Sequence, residues 1–168
     1  MAGLFAFMEV TMKHIGIIGA RKYKDRIAVI ELVQELPADS IVVTSSCRGV
    51  CQWAGEAAKA RKFSVKIFSP DLTQVRDRIE MVERYYERNR QLIAACDIVH
   101  AFISKEAGLT GGTKFEVRYA ERLGKEVYLH WENSGVQQIG QKQKGLPFGP
   151  SDQNFATGWL KFFSEALI

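Results

Sequence analysis

Residues 14–21 read His-Ile-Gly-Ile-Ile-Gly-Ala-Arg. A short apolar, β-branched run suits a strand buried on both faces, and its closing glycine lets the chain turn sharply where the strand ends. The same design recurs downstream. Residues 41–44 (Ile-Val-Val-Thr), 64–68 (Ser-Val-Lys-Ile-Phe), 97–102 (Asp-Ile-Val-His-Ala-Phe) and 126–129 (Glu-Val-Tyr-Leu) are further strand candidates. Helical patterns lie between them over residues 24–36, 50–62, 73–95 and 113–123. Strands alternating with helices predict parallel βαβ units. The expected fold class is therefore α/β, a Rossmann-like three-layer α/β/α architecture with a mostly parallel sheet of about five strands.

The third helical stretch has a candidate cap in Asp71 or Thr73, with Gln74 placed as in a capping box. Val75, Ile79, Val82, Tyr86 and Ile93 recur at intervals of three and four, which predicts one core-facing stripe. Asn89 interrupts that stripe with an amide. Burying an amide without partners costs about 1–3 kcal/mol, so Asn89 is expected either to bond loop backbone or to touch a ligand.

The chain has 168 residues, 46% of them hydrophobic and 25% charged, which fits one soluble domain with its own core. Residues 1–12 read as a loosely attached leader, since Met8 and Met12 are also plausible starts, and residues 13–168 as a single nucleotide-binding domain. Residues 132–149 show no period and are expected to be a long surface loop. Ser151 can cap a final helix in which Phe155, Trp159, Phe162, Phe163 and Leu167 form a broad apolar face. That face either packs on the sheet edge or makes a homodimer or higher homo-oligomer contact. No apolar run approaches the roughly twenty residues of a membrane span, so no membrane partner is expected.

Cys47, Cys51 and Cys96 match neither a zinc pattern nor a disulfide framework, and three unbridged thiols favour a reducing, cytoplasmic setting. His14, His100 and His130 stand singly in or beside strands, which favours structural burial over metal ligation. No cofactor and no metal is implied.

In an open parallel sheet, ligands bind beyond the carboxyl ends of the strands. The segments that follow the strands carry the chemistry: Gly19-Ala20-Arg21, then Ser45-Ser46-Cys47-Arg48-Gly49, then Thr110-Gly111-Gly112-Thr113. Glycine allows close backbone approach, helix-opening amides offer donors to a phosphate, and Arg21 and Arg48 can add bidentate contacts to the same anion. Neither a complete Gly-x-Gly-x-x-Gly nor a P-loop is present, since Gly16 and Gly19 lack the third glycine and the later loop reads Gly-Thr-Lys. Glu116, one turn into the helix that follows Gly112-Thr113, is either a pocket group or a first-turn acid favoured by the helix dipole by about 0.3–1 kcal/mol.

Taken together, Gly19-Ala20-Arg21, Ser45 with Arg48-Gly49-Val50, Trp53-Ala54, Arg88-Asn89-Arg90 before Ala95-Cys96-Asp97, and Gly111-Gly112-Thr113 before Glu116 resemble the SLOG superfamily over about residues 13–130. That superfamily takes in the DNA-processing protein A family, the LOG phosphoribohydrolases and YspA-like proteins. The resemblance implies a Rossmann-like binder of nucleotides or nucleotide-derived ligands, with Asn89 facing or supporting the pocket. This sequence departs from the pattern in having Ser45-Ser46-Cys47 where Ser-Gly-Gly-Ala is usual and Cys51 where an aspartate is usual, and in having no proline before Gly111.

Three functions follow as expectations. The first is a sensor or carrier module for a nucleotide or nucleotide-derived small molecule, with Gly19, Arg21, Ser45, Ser46, Arg48, Gly49, Asn89, Gly111, Gly112 and Thr113 as its ligand-binding residues. The second is a nucleoside 5′-monophosphate phosphoribohydrolase or related N-glycosidase, with Glu116 and Arg88 as catalytic groups. The third is single-stranded DNA binding. A net charge of +4 with no clustered stripe argues against nucleic acid as a partner.

Overall fold

The computed structural model describes residues 12–140. The leader before Met12 and the amphipathic stretch after Ser151 lie outside the described residues, as does the part of the expected surface loop beyond Gly140.

The elements run β1 (His14–Gly19), α1 (Arg26–Glu35), β2 (Ile41–Ser45), α2 (Val50–Ala60), β3 (Ser64–Phe68), α3 (Arg78–Ala94), β4 (Ile98–Ile103), α4 (Gly111–Arg122), β5 (Glu126–Trp131) and β6 (Gly135–Ile139). They form a six-stranded sheet in the order β3-β2-β1-β4-β5-β6. The first five strands are parallel neighbours and β6 pairs antiparallel to β5. The expected parallel α/β sheet is therefore present, and the extra strand occupies part of the stretch read as loop. Strand order reverses between β1 and β4, where the register places Gly19 opposite Phe102.

Alternate residues of the central strands feed two cores. Ile15, Ile17, Val42 and Phe102 pack with Val29 and Val33 of α1 and with Val50, Ala54 and Ala58 of α2. Ile18, Val43, Val99, Ala101 and Ile103 pack on the other face with Leu92 and Ile93 of α3 and with Val117 and Ala120 of α4. This is why β1 reads as an unbroken apolar run: Ile15 to Ile18 are all buried, facing opposite cores by turns. A fully buried valine or isoleucine stabilises the fold by roughly 1.5–3 kcal/mol, so these layers hold the strand ends in place.

Helix starts divide into two kinds. Asp25 Oδ1 accepts from Ala28 N and caps α1, and Asp77 Oδ1 accepts from Glu80 N and caps α3. By contrast α2 opens at Gly49 and α4 at Thr110 with no side-chain cap bond. The start of α3 also corrects the sequence reading. Asp71 instead holds Thr73 in a local turn, and Ile79 is 60% exposed, so the inward stripe begins later in the helix.

Candidate functional site

At the carboxyl edge, the turn after β1, the turn after β2 and the start of α4 are joined through α3. A β-carbon built on Gly49 would lie 3.6 Å from the Arg21 carbonyl oxygen, so the first two turns are in contact. Gly49 has φ +80°, a left-handed conformation that glycine adopts freely. Gly19 is still tighter: a β-carbon there would lie 2.8 Å from Val50 Cγ2 and 2.9 Å from Phe102 Cβ. These approaches let the first turn sit directly on the start of α2.

From α3, Arg88 Nη1 and Nη2 donate to Cys47 Sγ at 3.5 and 3.6 Å, reaching the turn after β2. The next residue, Asn89, places Nδ2 3.6 Å from where a β-carbon on Gly112 would stand, reaching the start of α4. Arg88 and Asn89 are each 5% exposed, and Arg88 Nε and Asn89 Oδ1 have no hydrogen-bond partner among the described residues. Buried polar atoms of this kind are uncommon, because each carries a desolvation cost of about 1–3 kcal/mol. The guanidinium also lies 5.8 Å from the centre of the Tyr85 ring.

Glu116 projects from α4 into the same neighbourhood and is 7% exposed. Burial pushes its carboxyl up to about 7, against the pull of Arg88. Its charge is felt in turn by Cys51 and Tyr86. At neutral pH the buried Arg88 therefore faces a carboxyl that is only part ionised, and no carboxylate pairs with it among the described residues.

The remaining expected site residues divide. Thr113 is buried in the first turn of α4, and Gly111 has φ +57° with open space around it. Ser45 is buried and its Oγ accepts from Cys47 N at 3.3 Å, which shapes the turn from within. Ser46 and Arg48 are exposed, and Ser46 N donates to Phe68 O at the end of β3. Arg21 is exposed at the rim.

Two residues at this edge were not among the expected ligand-binding or catalytic residues. Cys47 bonds directly with Arg88. Burial alone would raise its thiol, yet hydrogen bonding with Ser45 and Arg88 and the charges of Arg88 and Arg21 bring it below the ordinary thiol value. Glu132, 8% exposed just past β5, accepts from Lys24 N and Lys105 N at 2.8 Å each and ties the turn after β1 to the turn after β4. Its position beyond a strand's carboxyl end was the available signal. His100 and His130, read as solitary, bond to each other through Nδ1 and Nε2 at 2.8 Å.

No family model matches the chain, and no curated protein matches it. Among solved structures, the fold is similar to that of DNA processing protein A from Helicobacter pylori, described for its single-stranded DNA binding mode, at 21% identity and a TM-score of 0.55, over 70% of this chain and 64% of that one. It is also similar to DNA processing protein A from Streptococcus pneumoniae at 15% identity and a TM-score of 0.56, over 92% of this chain and 57% of that one. The chain thus spans less than two thirds of either structure. The Rossmann-like fold implied by the SLOG resemblance is the fold observed.

This likeness overturns one expectation. Nucleic acid was set aside as a partner on net charge, whereas a protein of this fold is described by its binding of single-stranded DNA. A net charge sums over the whole surface and does not report where cations stand. Arg21, Lys22, Lys24 and Arg48 are all exposed in the turns that follow β1 and β2. No helix among the described residues is long and apolar enough to cross a membrane.

Proposed function

We propose that this edge binds the phosphate of a nucleotide or nucleotide-derived ligand, the chain acting as a sensor or carrier module. The carrying observation is Arg88: a guanidinium 5% exposed, with Nε unpartnered among the described residues. A buried cation without an acidic partner is costly, and an entering phosphate would supply both the charge and the missing acceptor. The uncapped starts of α2 and α4 add unpaired backbone donors and the positive ends of two helix dipoles. Asn89 Oδ1, an acceptor, suits a ribose hydroxyl or an amino group of the base.

Thermal-shift titration with nucleoside mono- and diphosphates and nucleotide sugars tests this reading. A ligand at a hundred times its Kd stabilises by about 2.7 kcal/mol, which is readily seen as a raised Tm. The rise should vanish in Arg88→Gln. No stabilisation by any of these at millimolar concentration removes the proposal. Release of free base from a nucleoside monophosphate, abolished in Glu116→Gln, would extend it to N-glycosidic hydrolysis.

A second reading, single-stranded DNA binding, is favoured by the fold likeness to the Helicobacter protein and by the exposed cations of the first two turns. Titration of an oligonucleotide at two salt concentrations distinguishes it. Affinity should fall as salt rises, with a smaller salt dependence in Arg21→Ala, and absence of binding at low salt rejects it.

A further inference from the structure

One face of the sheet is left uncovered where its strands are still parallel. β1 is buried on both faces, whereas β4 and β5 alternate. Val99, Ala101, Val127 and Leu129 lie in the core shared with α3 and α4, while Ile98, His100, Tyr128 and His130 between them are only half-buried. The register carries this second face on to β6, where Gln138 stands opposite Tyr128 and Val136 opposite His130, both exposed. The core made with α1 and α2 takes in Ile98 and Phe102 of β4 but, among the described residues, none of β5 or β6. Parallel strands are almost always covered on both faces, so this surface calls for a cover. It is also ordered and nearly uncharged: His100 stacks on Tyr128, His130 stacks on Phe102, and the two imidazoles bond each other at 2.8 Å.

We propose that residues 151–168 of this chain, which lie outside the described residues, cover this face and seat the aromatic stripe of Phe155, Trp159, Phe162 and Phe163 on Tyr128, His130 and Val136. The chain leaves β6 at Gly140, beside the Lys125 carbonyl just ahead of β5, so it departs from the edge of the same three strands. The ten residues 141–150 reach up to about 33 Å, against about 10 Å from β4 to β6, and can bring Ser151 to either end of the face. From Phe155 to Leu167 a helical stripe runs about 18 Å, the length of a strand of five or six residues. Lys161 and Glu165 fall between the stripe positions, which leaves the stripe as free of charge as the rings it would meet. A linker of this length holds its segment at an effective concentration on the order of a millimolar, above that of a second copy in ordinary solution, which favours the chain's own segment as the occupant. The cover is independent of the phosphate site at the carboxyl edge.

The test is NMR of the full chain, joined to chemical labelling of its histidines. Cross-peaks between the Trp159 indole and the rings of Tyr128 or His130 are expected, and they should persist on dilution. Mixing two differently labelled preparations separates contacts within a chain from contacts between copies, and contacts seen only between copies overturn the proposal in favour of a second copy. Diethylpyrocarbonate gives the second readout. His130 should be modified about fivefold faster in Phe162→Asp and in Val136→Lys than in the native chain, with His14 of β1 unchanged as the reference. Val136 is 61% exposed among the described residues, so Val136→Lys keeps the test valid if Phe162→Asp does not fold. No cross-peak from Trp159 to this face, or a His130 rate unmoved in every variant that folds, overturns the proposal.

Discussion

Glu132 Oε2 accepts the backbone N–H of Lys105 at 2.8 Å, and the other oxygen of the same carboxylate accepts the N–H of Lys24 at 2.8 Å. One side chain beyond β5 thus joins the turn after β1 to the turn after β4, across the point where strand order reverses. Both bonds are charge-assisted and the residue is buried, so their loss leaves two amide donors without acceptors. Glu132→Gln, which keeps the shape but turns an NH2 toward one of the amides, should destabilise by about 1–3 kcal/mol. Urea unfolding checks this as a lowered midpoint at unchanged slope, and an unchanged midpoint refutes the bracing role.

Glu116 predicts a stability that declines as pH rises from mildly acid toward neutral. Its folded value, about 7, lies above the ordinary 4.5 for glutamate, so the fold prefers the protonated form. The resulting stability is fully present below pH 4.5 and is lost as pH rises through about 7. The shift corresponds to about 3 kcal/mol at most. Glu116→Gln should flatten this decline and be the more stable protein at pH 8 in the absence of ligand. A Tm difference between the two proteins that stays constant between pH 5 and pH 8 refutes it.

His100 and His130 predict the opposite sign. Burial pushes the His100 imidazole down to about 3, helped by His130, and burial pushes His130 down to about 4. Both rings are therefore neutral in the fold, one donating and one accepting in their mutual bond, and they stack on Tyr128 and Phe102 respectively. Stability from this pair is present above the ordinary value of 6.5 and is lost as pH falls toward 4 and 3, because only the unfolded chain takes up the protons. NMR titration should show both rings uncharged down to about pH 5. A midpoint near 6.5 for either ring contradicts the burial argument.

The layout of the sheet was legible in the sequence because burial on both faces turns Ile15 to Ile18 and Ile41 to Val43 into unbroken apolar runs. The turns were legible because Gly19-Ala20-Arg21 closes the first run and Arg48-Gly49 stands a few residues past the second. β6 was not, since Gly135 to Gln138 are all exposed, and an edge strand with no buried face leaves no alternation to read. The start of α3 was misjudged because Ile79 keeps the helical rhythm while facing solvent. Cys47 and Glu132 act through partners 41 and 108 residues away, Arg88 and Lys24, and no local pattern encodes such a meeting.

Two glycines of the candidate site should fail for different physical reasons. At Gly19 a β-carbon would lie 2.8 Å from Val50 Cγ2 and 2.9 Å from Phe102 O, so Gly19→Ala must push β1 away from β4 or α2. Overpacking of this kind costs about 1–3 kcal/mol, and here it would also move the turn that meets Gly49. At Gly111 nothing lies within 4 Å of the added carbon, and the difficulty is φ +57° alone. Asparagine tolerates that region better than alanine, so Gly111→Asn should be more stable than Gly111→Ala. No asparagine-like relief exists at Gly19, where any side chain meets backbone. Urea midpoints of Gly19→Ala, Gly19→Asn, Gly111→Ala and Gly111→Asn separate the cases: asparagine should recover stability over alanine at Gly111 and lose it at Gly19. The same rank order at both positions would mean that steric closeness at Gly19 is not what demands glycine there.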